Sequence, residues 1–258
     1  MLNYLKSEFY RILRSRATYL FIAVCSVLLL SSNIVLALVK RSDETFTYAN
    51  TAFSIANVYT SFGFVFILCI MVTGIIFNNE NSNHTFKNCV SYGITRGTIY
   101  FGKLIIQIMY AIVAFLVIIG VHVASAYLLL DNSGPKELDM LFQVSLAAIP
   151  LLLFVIAVAN CFYFIMEGTG GAVAATCGVI LALPIISGFL GMKFELIRKF
   201  ADILPWNLLS SINYDLGGHT VKLFWSTNGY QNYWIAGMLQ MIVFVVLGYS
   251  FFAKKEIK

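Results

Sequence analysis

The sequence predicts an all-α integral membrane protein with six transmembrane helices, an N-terminal interfacial amphipathic helix and one short helix in a polar loop. Three observations predict it. Of its 258 residues, 60% are hydrophobic and only 11% are charged, against about 25% charged in a soluble domain. The mean hydropathy is +0.84. The apolar residues gather into runs long enough to cross a hydrocarbon core of about 30 Å, which takes about 20 helical residues. Backbone groups in lipid must be satisfied within the segment or in a closed barrel. The runs lack strand-like alternation, so helices are expected.

The six runs are 17–39, 59–77, 104–130, 141–166, 172–192 and 233–253. No long polar stretch divides them, so residues 1–258 read as a single transmembrane domain. Residues 1–16 precede the first run with Leu2, Leu5, Phe9, Ile12 and Leu13 on one helical face, and with Lys6, Tyr10, Arg11 and Arg14 mostly opposite. That pattern predicts a helix lying in the membrane interface. The first run exceeds the length of a cleavable signal's apolar core and is expected to stay as an anchor. Residues 193–232 form the longest connection, on the side away from the termini. Within it 194–209 is amphipathic and interrupted by Pro205, which predicts short helices at that surface.

Charge gives the orientation. Lys6, Arg11, Arg14, Arg16, Lys87, Arg96, Lys103, Lys254, Lys255 and Lys258 fall on the side of the termini, facing few acids. The opposite side has slightly more acids than bases. By the positive-inside rule both termini are expected in the cytoplasm. The net charge of +5 is thereby a topology signal with some attraction to anionic lipid, and it calls for no nucleic acid.

The motifs for chemistry are absent. Gly97 to Lys103 spells GxxxxGK, but Leu104 follows where a phosphate-binding loop needs Ser or Thr, and the segment opens a transmembrane run. His84, His122 and His219 are far apart and none has a Glu at metalloprotease spacing. Cys25, Cys69, Cys89, Cys161 and Cys177 contain no CxxC pair, and no metal site is expected. Within the spans, His122 and Asn160 are the candidates for a translocation path, since polar groups in a bilayer are costly. Both also suit interhelical hydrogen bonding. Pro150 and Pro184 are positioned to kink spans four and five.

Residues 78–103 are longer than a connection requires. Glu80 stands just beyond the second run. Thr85-Phe86-Lys87-Asn88 follows, with Thr85 suited to cap a short helix and Tyr92-Gly93 suited to end it. Ser91, Thr95-Arg96 and then Lys103 lead into the third run. This loop resembles that of the type-2 ABC exporter permeases (the ABC-2 family), which carry an acid, a GTFKN-like stretch, then S-R and GK before the third span. His84 stands here where that pattern has Gly. The resemblance extends to the interfacial helix, the six spans, the long segment before span six and the FFAKKEIK ending.

The resemblance implies a permease subunit that does not itself hydrolyse ATP. It implies that Glu80, Thr85, Phe86, Lys87, Asn88, Arg96 and Lys103 belong to a coupling region on a separate ATP-binding-cassette ATPase. ATP and magnesium would bind that partner, and the chain needs no cofactor of its own. A second copy or a paralogue would complete the path, with membrane lipid around it. Small members resembling this chain export amphipathic or antimicrobial peptides or drugs, and a bacterial plasma membrane is the expected location. The alternative is a non-transporting assembly or sensor subunit that binds an ATPase through the same loop.

Overall fold

The computed structural model describes the backbone of residues 1–43, 45–82, 85–166, 168–210, 212–215, 220–222 and 231–255, and their side chains except those of 78–82, 85, 86, 213–215 and 220–222. In chain order the helices are α1 (Leu2–Arg14), α2 (Arg16–Ser42), α3 (Thr51–Thr60), α4 (Phe64–Ser82), α5 (Thr85–Ser91), α6 (Arg96–Leu129) and α7 (Lys136–Ile165). They continue as α8 (Thr169–Cys177), α9 (Leu183–Gly191), α10 (Glu195–Ile203), α11 (Pro205–Ser210) and α12 (Gln231–Lys254). Five stretches are long and apolar enough to cross a membrane: α2, α6, α7, Thr169–Gly191 and α12. The bent pair Thr51–Thr60 and Phe64–Phe77 makes a sixth.

Helix α7 is the axis of the bundle. It packs against α12, α4, α3, α8 and α6, and 61% of its most apolar window is buried, against 11% for α2. The approach of α12 is close because Gly237 lies on Pro150: a Cβ at Gly237 would stand 2.7 Å from the Pro150 carbonyl carbon. The Trp234 indole donates to the Leu146 carbonyl at 3.1 Å along the same seam. Helix α2 leans mainly on α6 and leaves Leu20, Val24, Val27, Leu28, Val35 and Leu38 exposed, a surface suited to lipid or a neighbouring subunit.

Three features differ from the sequence expectation. Span two is not one straight helix over 59–77: α3 and α4 meet at 65°. At the break, Phe64, Val65 and Phe66 donate to the carbonyls of Ser61, Phe62 and Gly63, three residues back rather than four. The Thr60 hydroxyl takes the Ala56 carbonyl at 2.7 Å, and Gly63 admits the Trp206 ring, which a Cβ would meet at 3.3 Å. Hydroxyls that compete for carbonyls, followed by a glycine, weaken the helix where an aromatic ring wedges in.

Span five begins at Thr169 and contains a π turn over Gly178–Ala182, just before Pro184. A proline has no N–H for the preceding turn, and a widened turn absorbs the mismatch. Finally, most of 78–103 is helical: α4 runs on to Ser82, and α6 already starts at Arg96. The GxxxxGK stretch is thus continuous helix inside α6, not a phosphate-binding loop.

Beyond α9, α10 and α11 are separated at Leu204–Pro205, as the amphipathic pattern predicts. A small antiparallel hairpin of β1 (Asn213–Asp215) and β2 (Thr220–Lys222) follows, which the sequence reading does not anticipate. At this end of the bundle Thr51 donates to the Asp131 carbonyl at 2.9 Å, Lys40 pairs with Asp131, and Tyr59 donates to buried Glu137 at 2.7 Å. Helix α1 and the end of α12 lie at the other end, because α1 packs on the start of α6 and Arg96 reaches the end of α12. We call the latter the basic face.

Candidate functional site

At the basic face, α5 hangs between α4 and α6. Its last turn closes through Gly93, whose φ of +81° is left-handed and costs little only for glycine. Gly93 donates to the Val90 carbonyl at 3.0 Å and Ile94 to that of Cys89 at 3.1 Å. Thr95 then caps α6 by accepting from the Thr98 N–H. Cys89, Val90 and Ile94 are half-buried against the bundle, while Lys87 and Asn88 are exposed and Tyr92 is 87% exposed. The helix is thus fastened by one side and presents the other. The side chains of Glu80, Thr85 and Phe86 lie outside those described.

Arg96 turns from this helix to the bundle. Its guanidinium donates to the carbonyls of Phe252, Ala253 and Lys255 at 3.0, 2.6 and 2.7 Å. Lys255 in turn donates to the carbonyls of Phe164 and Ile165 at 3.3 and 2.9 Å. A helix leaves its last carbonyls without intrahelical partners and gathers negative potential there. Two cations at these ends therefore join α6 to α12 and α12 to α7.

Lys103 is wholly buried, 0% exposed. Its ammonium donates to Glu8 at 2.7 Å and stands 5.8 Å from the Phe77 ring centroid. The same Glu8 oxygen accepts from Arg11 at 2.7 Å, and Arg11 also reaches the Ile76 carbonyl at 3.0 Å. Next to Lys103, Gly102 makes room for Tyr4: a Cβ there would come within 2.7 Å of the Tyr4 ring. The interfacial helix therefore packs through Tyr4, Glu8 and Ile12. Leu2, Phe9 and Leu13 of the expected apolar face point outward, as suits a helix with lipid on its outer side.

The two intramembrane candidates fall in separate clusters. Asn160 accepts from the Gln107 amide at 2.7 Å, and Thr73 donates to the Gln107 oxygen at 3.2 Å. This ties α4, α6 and α7. His122 belongs to the other cluster. Asn33 donates to Ser125 at 2.7 Å and to the His122 carbonyl at 3.1 Å, and Ser54 donates to Asn33 at 2.5 Å. The ring nitrogens of His122 face Ser54 at 3.2 Å and Asn33 at 3.4 Å. With the Ser54 hydrogen given to Asn33, the Ser54 oxygen is left to accept from the ring, which closes the set for the tautomer protonated at Nε2. All four side chains are buried. They join α2, α3 and α6, and none of the other three is a partner that the sequence reading identified. Nor did it identify Glu8, whose signal was its place four residues after Tyr4 and four before Ile12, on the face that α6 covers.

A broken span, interhelical polar ties and five further long apolar stretches define a multi-pass membrane protein. The family model described as "ABC-2 family transporter protein" matches residues 4–169, more than half of the chain, from within α1 to the start of α8. The chain belongs to that family: it is an ABC transporter permease, a class of transport subunit that works with an ATPase. No curated protein matches it.

Proposed function

We propose that the chain, acting over 1–258 as one unit, is the membrane subunit of an ABC exporter driven by a separate ATPase that docks on α5. The observation that carries this reading is the mounting of α5. Its inner side is fixed to the bundle, its outer side offers Lys87, Asn88 and Tyr92, and the residues that follow lead into buried ties. Phe86, Thr85 and Glu80 would complete the docking surface. Arg96 and Lys103 would act behind it, as rigid links from α5 to α12, α7 and α1. ATP and magnesium would bind the partner. A second copy or a paralogue would face the exposed side of α2, with the path running along α2, α4 and α8–α9. The basic face would lie in the cytoplasm of a bacterial cell. Amphipathic or antimicrobial peptides or drugs are the proposed cargo.

The test is a mild-detergent pull-down of the tagged chain from its native membrane, beside a Phe86→Ala/Lys87→Ala variant. An ATP-binding protein that comes down with the wild type and is lost with the variant is the expected result. No ATPase with either sinks the docking assignment. Stimulation of that ATPase by cargo then separates an exporter from a sensor or assembly subunit, which would show none.

A further inference from the structure

We propose that a cavity under the interfacial helix binds the phosphate head of an anionic glycerophospholipid, independently of whatever the protein transports. The cavity holds about 950 Å³ and opens between α1, the start of α2, α4 and the junction of α7 with α8. Arg11, Arg14 and Arg16 all line it. The reason lies in the corner between α1 and α2. Ser15 is extended, at φ −77° and ψ 121°, so the last residue of one helix and the first of the next turn toward the same space.

The charge there is basic. No acid lines the cavity among the described residues. Glu8 on α1 is engaged by Lys103 and Arg11. Arg14 and Arg16 are exposed and form no ion pair among the described residues; Arg14 lies over the Tyr10 ring at 4.6 Å. Guanidinium groups suit phosphate because they donate in a planar fork.

Tyr163 also lines this cavity, and its hydroxyl opens into it with no hydrogen-bond partner among the described residues. Gly74 gives it room, since a Cβ there would stand 2.9 Å from the hydroxyl. A phosphate oxygen in the cavity would accept from it.

The wall selects a lipid over a free anion. Met71, Ile75 and Ala17 line the same space, and Met71 is 51% exposed on the membrane-facing part of α4. Cations at one end and apolar side chains at the other match a headgroup with its chains. Basic pockets between helices at this depth are where anionic headgroups bind. A cationic amphiphile would be repelled.

The experiment uses the full chain in detergent, with bound lipid counted by native mass spectrometry during titration with phosphatidylglycerol or phosphatidylcholine of the same chains. The wild type should retain one phosphatidylglycerol about thirtyfold more tightly than phosphatidylcholine, the worth of two basic residues. Arg14→Gln/Arg16→Gln should bring the two lipids within a few-fold. Arg14→Lys/Arg16→Lys should keep most of the preference, which guards against loss through misfolding. Tyr163→Phe, which keeps the ring stacked on Phe77 at 5.0 Å, should weaken it a few-fold. Lys193→Gln/Arg198→Gln at the far end should change nothing. Equal retention of both lipids, or a preference indifferent to Arg14 and Arg16, overturns the proposal. Displacement by millimolar inorganic phosphate overturns it in favour of a free anion, and displacement by an amphipathic peptide in favour of a peptide site.

Discussion

Two buried polar clusters hold this bundle together, and they are built from different chemistry. At the basic face, Glu8, Arg11 and Lys103 are ionised groups that fasten α1 to α6. Near the opposite end, Asn33, Ser54, His122 and Ser125 join α2, α3 and α6 with neutral groups. The first lies where the chain enters the membrane interface, so its charges are close to water before they pair. The second lies on membrane-spanning helices, where an unpaired charge has no such refuge. Strong, brittle ties at one end and weaker, redundant ones at the other would suit the proposed drive from the basic face. The first should move as a block, and the second should give.

The largest effect is expected where a buried charge loses a partner. Glu8→Ala takes the carboxylate from wholly buried Lys103, and loss of one partner of a buried pair costs about 3–5 kcal/mol. Thermal unfolding in detergent should show a steep fall for Glu8→Ala and for Lys103→Ala. The double variant Glu8→Leu/Lys103→Met should recover most of the loss, because apolar replacement of both partners is often neutral. Single variants that melt like the wild type would remove the distinction between the two clusters.

Gly102→Ala attacks the same joint through packing. The new methyl would overlap the Tyr4 ring, and overpacking costs typically about 1–3 kcal/mol. The expected outcome is a lower melting point with α1 lifted from α6, read as faster labelling of a cysteine placed at Tyr4. Tyr4→Ala in the Gly102→Ala background should relieve the clash.

Arg96→Gln tests the tie to α12. It removes a cation from three carbonyls at a helix end, worth up to about 2 kcal/mol in a partly buried setting. Because α5 would remain attached through Cys89, Val90 and Ile94, ATPase capture should persist while transport falls. A variant that loses the ATPase would show that Arg96 belongs to the docking surface itself.

These joints were unequally visible in the sequence. The spans were legible because apolar length alone marks them, and the C-terminal end of α5 was legible because the Tyr92-Gly93 pair is a local signal. The break in span two was not, since it depends on Trp206 wedging against Gly63 from about 140 residues away. Lys103 and Arg96 stood out as cations of the loop motif, but nothing local says that one turns inward to Glu8 and the other to the end of α12. His122 and Asn160 were conspicuous as polar residues in apolar runs. The His122 partners Asn33 and Ser54 are ordinary alone and acquire meaning from three helices meeting. The family match likewise ends at residue 169, so the spans that follow rest on the fold.

The smallest effect belongs to the neutral cluster. Asn33→Leu removes hydrogen bonds to Ser125 and the His122 carbonyl and the acceptor for Ser54. Interhelical hydrogen bonds in membranes average about 0.6 kcal/mol, and Ser125 keeps its bond to the His122 carbonyl at 2.8 Å. The expected loss is about 1 kcal/mol, well below that of Glu8→Ala. Ser54→Ala should cost less still, because Asn33 retains its two donated bonds. A loss for Asn33→Leu as large as that for Glu8→Ala would mean that α3 is locked rather than loosely held. The site of yielding would then have to lie elsewhere, at the 65° break between α3 and α4 or at the π turn over Gly178–Ala182.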